Sequence, residues 1–221
     1  MKKNVAICAS TDPVPSMEEL LIYAKSLSRM VDFMHCDIMD GQFVQRKTHN
    51  ETMVERLNTN CLSMLDVHLM VSEPADKIDG YIKAGANILT VHYEAFADKE
   101  QLAKVLKLIK KRDVLCGLSF RPSTPFKDIK MFCYDIDVLL VMSVEPGASG
   151  QKFMPETISR IKAIDEFRTA NDLNFKIEVD GGINDENAQA IINAGADMLV
   201  SGNYLFKAHD REKAIRVLRG N

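Results

Sequence analysis

Histidine and carboxylate side chains recur in this chain at two-residue spacing within short apolar segments. Met34-His35-Cys36-Asp37 and Leu65-Asp66-Val67-His68 each carry one His and one Asp two apart, and Ile177-Glu178-Val179-Asp180 carries two acids in the same spacing before Gly181-Gly182. Residues two apart share a face of an extended strand, so each pair points to one side. Two imidazoles and two carboxylates meeting from separate strands suit a first-row divalent ion such as Zn, Mn, Fe or Co. Taken singly, each has an ordinary explanation. A strand-end His is more often a hydrogen-bonded core residue, and an Asp before Gly-Gly more often forms a turn. Their occurrence at matching positions of several strands weighs against that. His92 also ends an apolar segment, but nothing close to it completes a site, and it reads as packing or as support; His49 and His209 read as loop or surface residues.

A second set of residues suits an anion. Glycine-containing stretches follow the last three strand candidates: Val144-Glu145-Pro146-Gly147-Ala148-Ser149-Gly150-Gln151, then Gly181-Gly182, then Gly202-Asn203. Glycine lets backbone N–H groups approach phosphate oxygens with no Cβ in the way, and late loops of a barrel are where phosphate is commonly held. A third set is methionine. Met39, Met70 and Met142 all fall at or just past strand ends. Any one of them would ordinarily fill a core gap, but together they could shield a reacting carbon from water.

These groups need a scaffold that brings strand ends together. Strands are predicted at Val5–Cys8, Phe33–Asp37, Met64–Leu69, Ile88–His92, Val114–Leu118, Val138–Met142, Lys176–Asp180 and Met198–Ser201. Helical periodicity between them covers Met17–Arg29, Thr52–Leu57, Lys99–Lys111, Pro155–Ala170 and Glu186–Ala194. Alternation of this kind implies βαβ units and a parallel sheet. One αβ corner occurs twice, as Lys83-Ala84-Gly85-Ala86-Asn87 and Asn193-Ala194-Gly195-Ala196-Asp197, each running straight into a strand. Eight units close into a (β/α)8 TIM barrel, an α/β fold spanning residues 1–221 as one domain; a doubly wound open sheet is the alternative.

Composition narrows the partners. The chain has 221 residues, 46% hydrophobic and 27% charged, with a formal net charge of −3. No basic stripe points to nucleic acid, and no cationic amphipathic segment points to a membrane surface. A small anionic substrate must then be captured by local geometry. The five cysteines, Cys8, Cys36, Cys61, Cys116 and Cys133, are scattered and never form C-x-x-C, which reads as reduced thiols in the cytoplasm. Met1-Lys2-Lys3-Asn4 begins like an export signal, but the apolar run Val5–Ala9 is too short to continue one.

The segments Met34 to Val44, Leu65-Asp66-Val67-His68-Leu69-Met70, Met142-Ser143-Val144-Glu145-Pro146-Gly147 with Gly150-Gln151-Lys152-Phe153, and Ile177-Glu178-Val179-Asp180-Gly181-Gly182-Ile183 together resemble the ribulose-phosphate 3-epimerase family. The resemblance runs in order from the first strand to the last helix. It implies a barrel of the ribulose-phosphate-binding type that interconverts D-ribulose 5-phosphate and D-xylulose 5-phosphate in the pentose phosphate pathway, and a homo-oligomer. It implies His35, Asp37, His68 and Asp180 as ligands of one divalent metal ion, with Asp37 and Asp180 also the acid/base pair. It places Cys8, Ser10, Met39, Met70 and Met142 beside the substrate, and Gly147, Ser149, Gly150, Gly181, Gly182, Gly202 and Asn203 around the phosphate.

Several positions depart from the family pattern. Ile7-Cys8 stands where Pro-Ser is usual, losing a hydroxyl unless Ser10 supplies one. Gln45-Arg46-Lys47-Thr48-His49-Asn50, Ala148-Ser149 and Ser119-Phe120-Arg121-Pro122 differ too. These changes surround the four ligands and spare them. The nearest alternatives are an epimerase of a hexulose 6-phosphate such as allulose 6-phosphate, and a sugar-phosphate-binding protein without turnover. A decarboxylase of the orotidine-phosphate type needs D-x-K-x-x-D on its third strand, where this chain has Asp66-Val67-His68.

Overall fold

The computed structural model describes residues 4–220, so Met1, Lys2, Lys3 and Asn221 lie outside the described residues, as does most of the export-like start. Eight strands, β1 (Ala6–Ser10), β2 (Phe33–Met39), β3 (Met64–Met70), β4 (Ile88–His92), β5 (Leu115–Phe120), β6 (Val138–Met142), β7 (Lys176–Asp180) and β8 (Met198–Ser201), pair in parallel in chain order. β1 also pairs with β8, Ala6 opposite Met198 through Ala9 opposite Ser201, and this closes the ring. That pairing excludes the open sheet. The helices are α1 (Met17–Leu27), α2 (Glu51–Asn60), α3 (Ile78–Ala84), α4 (Lys99–Lys110), α5 (Phe126–Ile129), α6 (Thr157–Ala170), α7 (Ala188–Ala194), α8 (Asn203–Lys207) and α9 (Arg211–Leu218).

Local chemistry sets the boundaries. The side chains of Ser16, Asn50, Asp98 and Asp210 accept backbone N–H groups at the starts of α1, α2, α4 and α9, satisfying donors that have no partner within the helix. Asn50 starts α2 one residue earlier than periodicity suggests, while α1 stops at Leu27 because the next turn puts Arg29 at φ 69°. Gly85 (φ 108°) and Gly195 (φ 123°) end α3 and α7, so both copies of the repeated corner close in the same way.

Alternation along the strands divides the interior in two. Outward residues such as Ile7, Met34, Val67, Leu89, Leu139, Ile177 and Leu199 join helix residues such as Leu102, Val105, Leu106 and Ile109 of α4 in the main core between barrel and helices. Inward residues begin with an apolar plug of Phe33, Ile88, Val138 and Met198, and become polar toward the C-terminal ends of the strands. Strands β1, β2 and β5 run two residues past the expected ends, to Ser10, Met39 and Phe120, and β3 runs one past, to Met70. Polar residues do not stop them, because neighbouring strands take up their backbone hydrogen bonds.

The other end of the barrel is held by a repeated clasp. Asp32, Asn87, Asp137 and Asp197 each directly precede, or stand one residue ahead of, an even-numbered strand. Their side chains accept the backbone N–H of Ile7, Leu65, Cys116 and Ile177 at 2.7–2.9 Å. Their own N–H groups donate to the carbonyls of the same four partners at 2.8–3.0 Å. Each clasp locks one odd strand to the next even one.

Candidate active site

Strands β2, β3 and β7 bring His35, Asp37, His68 and Asp180 together, with one donor atom of each within 4.8 Å of all the others. Asp37 Oδ1 lies 3.3 Å from His35 Nε2 and 3.3 Å from His68 Nδ1. The imidazoles are fully buried, and Asp180 keeps some exposure to the cavity above. His35 Nε2 is buried with no hydrogen-bond partner, an expensive state for a polar atom and the expected one for a nitrogen aimed at a cation. Two imidazole nitrogens with two carboxylates form a donor set that suits a first-row divalent ion.

The far sides of the two imidazoles are also held. His35 Nδ1 is 2.5 Å from Asp66 Oδ2. His68 Nε2 is 2.8 Å from Nε2 of His92, whose Nδ1 is 3.2 Å from Glu94 Oε2. Sequence analysis leaves His92 without a partner. The structure supplies two, one a strand away and one two residues on, so the His-x-Glu spacing just past β4 was the available signal.

The two candidate acid/base carboxylates are unlike. Burial would raise Asp37, but the ring nitrogens of His35 and His68, each 3.3 Å from its Oδ1, more than offset this and hold it far below the ordinary carboxylate range. Asp180 is pushed up to about 7 by burial and by the charge of Asp37. One is thus a firm carboxylate, while the other can carry a proton near neutral pH. Ser10 donates its hydroxyl to Asp37 Oδ2 at 2.9 Å, and Thr48 donates to the Asp37 carbonyl at 2.8 Å. Ser143 fixes the far side, donating its hydroxyl to the carbonyls of Asp180 and Gly181 at 2.7 Å each. Neither Thr48 nor Ser143 has a motif that would single it out.

The site opens into a cavity of about 1280 Å³ at the C-terminal ends of the strands. Ser10, Met39, Met70, Met142, Gly147, Ser149, Gly150, Gly181, Gly182, Gly202 and Asn203 all line it. Gly182 has φ 67°, and a Cβ there would lie 2.5 Å from the Phe153 backbone nitrogen; only glycine lets the loops after β6 and β7 meet so closely. Asp12, unremarked in the sequence, forms an ion pair at 2.6 Å with Arg46 of the departing stretch, beside Asp37 and at the edge of a side pocket that Lys47 and His49 also line.

Cys8 lies deeper than the other residues expected beside the substrate. It is fully buried and absent from the cavity wall, one inward layer below Ser10, where its thiol is grouped with Asp66 and Glu178. Inward positions alternate along β1, so residues two apart lie at different depths, and the hydroxyl that reaches Asp37 is that of Ser10. Burial pushes the Cys8 thiol well up and, together with the charge of Asp66, raises Glu178.

Among known proteins, the ribulose-phosphate 3 epimerase family model matches residues 10–206. A ribulose-phosphate 3-epimerase of Bacillus subtilis (strain 168) is 41% identical over 193 residues, covering 86% of this chain and 87% of its own. One of Escherichia coli (strain K12) is 36% identical over 198 residues, covering 89% and 86%. Among solved structures, a 3-keto-L-gulonate-6-phosphate decarboxylase from Vibrio cholerae O1 superposes with a TM-score of 0.72 at 14% identity, covering 98% of this chain and 96% of the other; this likeness shows the barrel alone. Among the described residues, no helix is long and apolar enough to cross a membrane. On the family match and these relatives, the chain belongs to the ribulose-phosphate 3-epimerase family of isomerases.

Proposed function

We propose that the chain interconverts D-ribulose 5-phosphate and D-xylulose 5-phosphate by moving a proton off one face of C3 and onto the other. The observation that carries this reading is the convergence of Asp37 and Asp180 with His35 and His68 at the cavity floor, one donor atom of each within 4.8 Å of the others, with Asp37 held low and Asp180 raised. Inversion beside a ketone needs a base on one face and an acid on the other. An ionised Asp37 can take the C3 proton while a protonated Asp180 returns one, and the roles exchange in the reverse direction. The hydroxyl of Ser10 steadies Asp37.

One divalent cation, Zn, Mn, Fe or Co, held by His35, Asp37, His68 and Asp180 would supply Lewis-acid stabilisation of the charge that develops on the C2 and C3 oxygens. Buried Met39, Met70 and Met142 line the cavity and give the reacting carbon neighbours that neither donate nor accept protons. Backbone N–H groups of the Gly181-Gly182 and Gly202-Asn203 turns, with the loop carrying Gly147, Ser149 and Gly150, would take the phosphate and so fix C3 between the carboxylates. We place the reaction in the pentose phosphate pathway and the cytoplasm, where five free cysteines fit a reducing medium.

The cavity is large enough that volume does not select a five-carbon over a six-carbon ketose phosphate. The deciding experiment is incubation in heavy water with D-ribulose 5-phosphate and, separately, with allulose 6-phosphate, followed by NMR at C3. Faster deuterium entry and inversion with the pentulose is expected. Faster reaction of the hexulose would transfer the assignment to that sugar, and binding without exchange would leave a sugar-phosphate-binding protein.

A further inference from the structure

Behind His68 runs a line of polar groups that acid/base chemistry at C3 does not use. His68 Nε2 faces His92 Nε2 at 2.8 Å with the rings tilted by only 26°, and His92 Nδ1 faces Glu94 Oε2 at 3.2 Å. The other Glu94 oxygen, Oε1, accepts the Arg121 backbone N–H at 2.8 Å and the Thr124 hydroxyl. The Arg121 side chain then returns over the line: its guanidinium lies 4.7 Å from the centre of the Phe43 ring and donates to the Phe43 carbonyl, while that ring packs on His92.

Two ring nitrogens at hydrogen-bond distance share one proton, which leaves two arrangements. In the first, His68 carries the proton on Nε2 and donates it to His92, and His92 donates its Nδ1 proton to Glu94. His68 Nδ1 then presents a lone pair toward Asp37 Oδ1 at 3.3 Å, an opposition that a cation seated between the two donors removes. In the second, His92 donates from Nε2, and its bare Nδ1 meets Glu94 Oε2. That sets lone pair against lone pair unless Glu94 carries a proton on that oxygen. Glu94 already accepts two hydrogen bonds at Oε1, which favours the ionised carboxylate. A cation at the donor cluster removes the one opposition in the first arrangement, and nothing removes the one in the second.

We infer that Glu94 and His92 are positioning residues: Glu94 writes the tautomer of His92, His92 writes that of His68, and the result aims the His68 Nδ1 lone pair at the cation position. This rests on the reading that the four donors hold a divalent cation. It assigns a purpose to a strand-end histidine outside the donor cluster, and to the turn at Arg121 and Thr124 that pins the carboxylate.

The relay makes an unusual demand of Glu94→Gln, which keeps shape and removes charge. Arg121 N–H and Thr124 hold the amide oxygen at the Oε1 position, so the amide NH2 faces His92 Nδ1 and donates to it. His92 must then carry its proton on Nε2, and His68 carries its own on Nδ1, against the cation.

The test uses the full chain, stripped with a chelator and titrated with Co²⁺ alone, following the visible absorption bands. Glu94→Gln is expected to weaken Co²⁺ binding about 10–100-fold. The double variant Glu94→Gln with His92→Gln is expected to recover most of that loss, because a side-chain amide at 92 can accept from His68 Nε2 whatever stands at 94. Long-range ¹H–¹⁵N spectra of the imidazoles, recorded without metal, are expected to show the His68 proton shifted from Nε2 toward Nδ1 in Glu94→Gln relative to the unaltered protein. A Glu94→Gln protein that binds Co²⁺ within threefold of the unaltered chain, or a His68 proton that stays put, overturns the relay. Absence of Co²⁺ binding by the unaltered chain would overturn the cation reading instead, and the nitrogen spectra would still decide the relay.

Discussion

His35 Nδ1 and Asp66 Oδ2 are 2.5 Å apart, both side chains fully buried, one layer beneath the rim where His35 Nε2 faces Asp37. Asp66 therefore fixes which ring nitrogen His35 turns to the donor cluster. Removing that acceptor leaves a buried N–H without a partner and frees the ring to turn. Asp66→Leu is expected to weaken divalent-ion binding about 10–100-fold, as read by calorimetric titration. Affinity unchanged within threefold would show that the ring is held by packing alone.

Asp37→Asn and Asp180→Asn keep side-chain shape and remove the groups that move the proton. Each is expected to lower C3 hydrogen exchange by about 10²–10⁴-fold, the usual worth of a positioned acid or base, with a barrel-type circular dichroism spectrum retained. Near-normal exchange in either variant would falsify its assigned role.

Cation affinity should depend on pH through Asp180. Burial and the charge of Asp37 put this carboxyl at about 7, and a metal takes the ionised form, so below that pH a proton competes for the same oxygen. Affinity for Co²⁺ is expected to fall about tenfold per pH unit below 7 and to level off above it. A profile flat from pH 5.5 to 8 would contradict this.

Acid should destabilise the fold through the His92–Glu94 pair. Burial holds His92 at about 4, below its ordinary 6.5, so its contribution is complete above pH 6.5 and is lost as pH falls toward 4. Burial raises Glu94, but hydrogen bonds from His92, Thr124 and the Arg121 N–H more than offset this and bring it to about 2; its share is lost between about pH 4.5 and 2. Chemical denaturation across pH 4–7 is expected to show a shallower slope in His92→Gln than in the unaltered chain. Equal slopes would place the acid sensitivity elsewhere.

Gly182→Ala should separate phosphate binding from chemistry. The residue sits at φ 67° with the Phe153 nitrogen 2.5 Å from where a Cβ would stand. The substitution is expected to cost about 1–3 kcal/mol of stability and to raise KM for the sugar phosphate at least tenfold. Steady-state kinetics with an unchanged KM would remove this turn from the phosphate site.

The barrel and its donor cluster were legible in sequence because both depend on short-range regularities. Two-residue spacing put His35 with Asp37 and Asp66 with His68, and helical periodicity put a helix between successive strands. What was not legible depends on depth and on contact across strands. Cys8 and Ser10 share a face, and spacing alone does not say which is level with Asp37; closure of β1 on β8 and the pairing of Ser10 with His35 decide that. His92 meets His68 only once β3 and β4 lie side by side. Ser143 and Thr48 act through carbonyls of residues 37 and 11 positions away, and no side-chain pattern marks a backbone acceptor.

The four clasps at Asp32, Asn87, Asp137 and Asp197 lie at the end of the barrel remote from the donor cluster. Staying shut and reacting are thereby entrusted to different ends of the same strands. The departures at Gln45–Asn50 and Ala148–Ser149 sit on the reacting end, and none of them belongs to a clasp. Drift in what the rim accepts can proceed while the staves remain hooped from below.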